Sequence, residues 1–138
     1  MTESINFFQS MFSFKNTAPL NVSAEEVQMM ASLKRKARRL AEQADAEIQN
    51  GRAAQELSFD ASEPEKMRVF AEIAVWHFNR AADKCAQSAE KFVEAGKIQT
   101  GKQKAFNLMN KEMTRRAAEA AGNVKFLEDF LTQLKKQN

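Results

Sequence analysis

His77 and Cys85 are the side chains best suited by type to ligate a metal, move a proton or attack a carbonyl, and each occurs once in the 138 residues. Two turns of helix would separate them, too far for joint ligation of one ion. At helical spacing His77 has Ile73, Ala74, Arg80 and Ala81 as neighbours. None is a carboxylate to orient the imidazole, and no second imidazole could share a metal. Cys85 falls on a position of an apolar heptad, where a small buried thiol is common. Both read as structural residues.

The carboxylates sit in helix caps or in solvent-side pairs with cations, such as Glu90 and Glu94 around Lys91, and no acid–base dyad emerges. The chain has no Gly-rich phosphate loop, no nucleophile elbow and no His-Glu-x-x-His or Glu-x-x-His spacing. The expectation is a protein without catalytic residues, metal or cofactor. One cysteine forms no internal disulfide, and this fits a reducing compartment; "MTESINFFQSMFSFK" lacks the positive leader and apolar block of an export signal. The most apolar run, "VFAEIAVWHF", is too short to span a membrane and carries Glu72 and His77. A soluble, cytoplasmic protein is expected.

The elements that carry these residues are all helices. Four glycines, two prolines and no tyrosine, against abundant Ala, Glu, Lys, Gln, Met and Arg, make a composition that favours helix over strand. "SAEE" at 23–26 reads as a capping box, and Met30, Leu33, Ala37, Leu40 and Ala44 follow at steps of three and four until "NG" at 50–51, predicting a helix over 24–49. "SEPE" at 62–65 repeats the device with Ser62 as cap. Met67, Ala71, Ala74, Phe78, Ala81, Cys85, Ser88, Phe92 and Ala95 then keep a four–three rhythm to Gly96, and the many alanines imply close approach by a neighbour. A last helix carries Phe106, Met109, Met113, Ala117, Ala120, Val124, Leu127, Leu131 and Leu134 on one face. The rhythm stays in phase across Gly122 and Asn123, so one continuous helix is expected there. Short connections make neighbours antiparallel. The predicted fold is an all-α, elongated antiparallel three-helix bundle, about 40–50 Å long, with an additional short N-terminal amphipathic helix. It is read as one helical-bundle domain over 1–138: helix 1–14, linker 15–22 and long-helix bundle 23–138.

The N-terminal stretch poses its own question, since four of the eleven phenylalanines fall within the first fourteen residues. On a helical wheel Ile5, Phe7, Phe8, Met11, Phe12 and Phe14 share about half the circumference, with Asn6, Gln9, Ser10 and Ser13 opposite. The polar half has no Lys or Arg, which argues against a membrane surface. Val69, Ile73 and Trp76 form a second apolar stripe outside the central seam. Either the N-terminal helix folds back across the linker onto this stripe as a fourth bundle member, or one or both patches dock a second copy of the chain or a partner protein. Phe7, Phe8, Met11, Phe12, Val69, Ile73 and Trp76 are therefore the candidate partner-binding residues.

Basic residues suggest an alternative. Residues 98–138 carry eight cations against four carboxylates, a net +4 that exceeds the +3 of the whole chain. "KRKARR" at 34–39 and the stripe Lys104, Lys111 and Arg115 both start about ten residues into helices that should run parallel, so the two clusters are expected at one level. A cationic patch of Lys34, Arg35, Arg39, Lys104, Lys111 and Arg115 would meet nucleic-acid phosphates, although no aromatic interleaves to stack on bases. The leading reading is a non-enzymatic protein–protein interaction module, an adaptor, small chaperone, assembly factor or inhibitor. A nucleic-acid-associated helical protein is the alternative.

Overall fold

The computed structural model describes residues 23–98 and 100–137. They form α1 (Ala24–Asp60), α2 (Pro64–Ile98), a single 3-10 turn (Thr100–Lys102) and α3 (Gln103–Gln137), with no strand among the described residues. The expected N-terminal helix and linker lie outside them. At 1.5 Å per residue each long helix spans about 50–55 Å, longer than the rhythm up to residue 49 suggested for the first.

Ser23 caps α1 by accepting from the amide of Glu26 at 3.1 Å, and its hydroxyl donates to the Glu26 carboxylate at the same distance. Pro64 opens α2, where its missing N–H is harmless. The residue ahead of it is Glu63 and not Ser62: the Glu63 carbonyl accepts from the amide of Met67 at 3.0 Å, the first bond of the helix.

Packing joins α1 to α2 and α2 to α3 along their lengths, whereas the backbones of α1 and α3 hardly approach one another. The α1 side of the first seam is Ala37, Ala41, Ala44, Gly51 and Ala54, and α2 answers with Ala71, Ala74, Ala81 and Ala95, all buried. Small side chains on both partners let the two backbones come close. Cross-helix contacts fix the direction: Ser88 Oγ donates to the Ala37 carbonyl at 2.8 Å, Lys84 Nζ reaches Gln43 at 3.1 Å and Ser58 Oγ donates to the Met67 carbonyl at 2.7 Å. α2 therefore runs antiparallel to α1. Asn110 Nδ2 donates to the Ala89 carbonyl at 3.1 Å, and Lys34 stands 5.8 Å over the Phe106 ring, so α3 returns parallel to α1.

Two buried clusters divide the core. One holds Met30, Leu33, Ala37, Ala41 and Ala44 of α1 with Cys85, Ala89, Phe92 and Ala95 of α2 and Phe106, Met109 and Met113 of α3. The other, nearer the α1–α2 turn, holds Ala54, Ala71, Ala74, Phe78, Val124 and Leu127.

"NG" at 50–51 does not end α1, which continues three turns to Asp60. A β-carbon on Gly51 would lie 3.0 Å from the Phe78 ring, and Phe78 has no exposed surface. Gly51 is thus a place where α2's aromatic ring beds against α1's backbone, and packing outweighs the roughly 1 kcal/mol that glycine costs inside a helix. Gly96 likewise lies within α2, which ends at Ile98. α3 passes unbroken through Gly122 and Asn123, as the phase of its apolar positions required.

Two glycines give opposite expectations. A β-carbon added at Gly122 would meet nothing within 4 Å, so Gly122→Ala should stabilise by about 0.5–1 kcal/mol and raise Tm by a few degrees. Gly51→Val should lower Tm by overpacking Phe78, at a cost of about 1–3 kcal/mol. Thermal unfolding followed by circular dichroism checks both.

Candidate interaction surface

Val69, Ile73 and Trp76 stand on the outside of α2, 39, 41 and 55% exposed. They form the apolar stripe that the sequence implied, and its residues remain in solvent in the described structure. Its Trp76 end has a defined setting. The Arg80 guanidinium lies 4.7 Å over the Trp76 ring, and the His77 ring meets Trp76 edge-on with centroids 4.9 Å apart. Glu47 of α1 holds both polar neighbours: one carboxylate oxygen is 2.7 Å from His77 Nδ1, the other accepts from Arg80 Nε at 3.1 Å.

The expectation that His77 has no orienting carboxylate is corrected here. Helical spacing within α2 excludes one, but α1 supplies it from thirty residues away. Burial pulls the Glu47 carboxyl toward higher pKa, but the hydrogen bonds from His77 and Arg80 outweigh that and hold it below the ordinary glutamate range. The clamp orders His77 and Arg80, the two side chains that flank the exposed indole.

A second aromatic group spans α1 and α3 near the α1–α2 turn. Phe59 packs edge-to-face on Phe126 and Phe130, with centroids 6.2 and 5.4 Å apart, yet Phe59 and Phe126 are 47 and 56% exposed. Neither stands out in the sequence, because each falls outside the periodic seam of its own helix; their out-of-phase apolar character is the available signal. Leu57 is exposed in the same half of the bundle.

Inside the bundle, Arg116 occupies a core position of α3 and is buried, bonded through Nε to Glu112 at 2.9 Å. It acts electrostatically on Asp45 of α1 and Cys85 of α2. Burial raises the Asp45 carboxyl, with Arg116 and Arg52 pulling it back. Burial pushes the Cys85 thiol up to about 11, Arg116 opposing and Asp45 and Glu112 adding to the rise. At neutral pH the thiol is protonated, the opposite of an activated nucleophile. Among the described residues no three His, Cys, Asp or Glu side chains come together as metal ligands.

The six residues of the basic alternative divide. Lys34 lies level with Phe106, so the runs at 34–39 and 104–111 share a height, as expected from parallel helices. Burial and then Lys102 lower the Lys34 pKa. Lys104 and Lys111 line an open depression on α3 with Gln103, Asn107 and Leu108, and Arg35 and Arg39 are exposed. Arg115, however, is held at 2.7 Å by both Glu112 and Glu119, which occupy its donors and offset its charge. The residues Phe7, Phe8, Met11 and Phe12 lie outside the described residues.

No helix among the described residues is long and apolar enough to cross a membrane. No protein-family model, curated protein sequence or solved structure matches the chain.

The Glu47 clamp has a checkable pH signature. A carboxyl whose folded pKa is depressed adds stability that is fully present above its unfolded value and is lost as pH falls through the folded one. Glu47→Gln should cost about 1–2 kcal/mol at neutral pH and should remove part of the loss of stability seen on acidification below the ordinary glutamate range. Urea unfolding at a series of pH values measures both.

Proposed function

We propose that this chain is a non-enzymatic protein–protein interaction module of the adaptor, small-chaperone, assembly-factor or inhibitor type, acting in the cytoplasm through the outer face of α2. The observation that carries the reading is the Val69–Ile73–Trp76 stripe, exposed on a helix whose opposite face is fully engaged, with its tryptophan clamped from both sides by His77 and Arg80. A rigid, exposed tryptophan flanked by an arginine is the kind of anchor that dominates binding energy at protein interfaces. Continuous apolar surface of this kind is stable in a soluble protein when another polypeptide covers it.

Substituting Val69→Ser, Ile73→Ser and Trp76→Ala together tests the reading. These side chains are outside the core, so Tm should change by only a few degrees, while a partner isolated with the unmodified chain and then purified should lose at least a hundredfold in affinity, equivalent to about 2.7 kcal/mol. Unchanged affinity for that partner would refute it. The nucleic-acid alternative has its support in the shared height of the two basic runs, and it predicts binding to mixed-sequence DNA or RNA that falls steeply with salt and drops when Arg35, Arg39, Lys111 and Arg115 are replaced together. Given the capture of Arg115 by two glutamates, the expected result is weak binding that does not depend on these four residues.

A further inference from the structure

The outer face of α2 is laid out symmetrically. From its first turn it presents Glu65, Val69, the pair Glu72 and Ile73, Trp76 and Arg80, at steps of three and four that keep all of them on one side of the helix. Glu65 and Arg80 are equally far from the Glu72–Ile73 peptide bond, and so are Val69 and Trp76. A second α2 laid on this face in the opposite direction therefore brings apolar onto apolar, Val69 against Trp76, and carboxylate onto guanidinium, Glu65 against Arg80. It does so twice, once at each end.

The charges at the two ends are exposed and able to pair. Glu47 engages Arg80 through Nε, and the two Nη groups of Arg80 have no hydrogen-bond partner among the described residues. Glu65 accepts from Arg68 of its own helix, and an exposed carboxylate has lone pairs left for a second guanidinium. In the reversed register Lys66 faces Asn79 and Ser62 faces Asp83, so no like charges stand directly opposite. Glu72, the carboxylate beside the centre of symmetry, is neutralised by Arg68 Nη1, which donates to its two oxygens at 2.9 and 3.0 Å. A two-fold interface requires this arrangement, the same patch on both subunits with residue i on j and j on i. A foreign partner places no such condition on the face.

We propose that the occupant of this face is a second copy of the chain: two α2 helices pack antiparallel across a two-fold axis at Glu72–Ile73, with Val69 on Trp76 and Glu65 on Arg80 at both ends. The inference rests on the reading of the outer face of α2 as a protein-binding surface, and it names what binds there. The contact is about 22 Å long, from Glu65 to Arg80. Three apolar side chains per copy fall short of the about 800 Å² that each partner of a stable complex buries, so the dimer is reversible and concentration-dependent.

Sedimentation equilibrium of the full-length chain between about 10 μM and about 1 mM tests it. The unmodified chain should show a monomer–dimer equilibrium, and Glu65→Arg alone or Arg80→Glu alone should weaken it at least about tenfold, because each places like charges at both ends. An equimolar mixture of the two variants should recover the association, since in the mixed pair both ends again carry opposite charges. A second measurement leaves Arg80 in place: the Trp76 indole proton resonance should shift on dilution over the same range, with the midpoint moved at least about fivefold by Val69→Ser. An unmodified chain that stays monomeric, a mixture no tighter than its components, or a midpoint indifferent to Val69→Ser would overturn the proposal. If the unmodified chain is monomeric while the Val69→Ser, Ile73→Ser, Trp76→Ala variant loses an isolated partner, the self-pairing alone fails; if that variant keeps its partner, the reading of the face fails with it.

Discussion

Close contact between α1 and α2 through small residues is the constraint on which the rest of the molecule depends. Where Ala37, Ala41, Ala44 and Ala54 face Ala71, Ala74 and Ala81, and where Gly51 receives the ring of Phe78, the two backbones lie nearer than bulky side chains would permit. α2 thereby becomes the spine, with α1 on one flank and α3 on the other. Because α1's small residues are spent on α2, its backbone stays away from that of α3, and longer side chains make the contacts between them: Phe59 on Phe126 and Phe130 at one end, Lys34 over Phe106 at the other. The Val69–Ile73–Trp76 stripe on the outer side of α2 is left uncovered by either neighbour.

Polar groups then sharpen what apolar packing leaves loose. Glu47 joins α1 to α2 at the edge of the seam and places His77 and Arg80 on either side of Trp76. Arg116 enters the core with its partner Glu112 one turn away, and its charge bears on Asp45 and Cys85 of the other two helices. Burying such a group is costly unless it is paired, and the pairing explains how a guanidinium replaces an apolar residue in the heptad of α3. Surface pairs such as Arg38–Glu42 and Arg68–Glu72 are i to i+4 contacts on single helices and add little beyond local helix stability.

Much of the fold was legible in the sequence, since a rhythm of three and four residues records which face of a helix is covered. Every position assigned to the seam of the second long helix is buried except Met67, which is half-buried at its first turn. The failures were of two kinds. Asn50–Gly51 carries a local stop signal that tertiary packing overrides, because the glycine is wanted for its missing side chain and not for its freedom to turn. Glu47, Phe59 and Arg116 depend on helix pairing at particular heights, which periodicity within one helix does not encode. The outer stripe was visible because its residues break phase on their own helix; the Glu47 clamp beside it was not, because its two halves are thirty residues apart.

Apart from the socket in which Gly51 receives the Phe78 ring, the alanine-rich interface is smooth, and smooth surfaces fix the register of two helices weakly. Three side chains add to that socket by reaching across to main-chain oxygens: Ser58 to Met67, Ser88 to Ala37 and, between α2 and α3, Asn110 to Ala89. A shift of one turn, about 5.4 Å, would pull each of these groups off its acceptor, at most cost for the fully buried Ser58 and Ser88 hydroxyls. They work as detents: greasy strips set how tightly the rods adhere, while two hydroxyls and one amide choose the notch at which they stop.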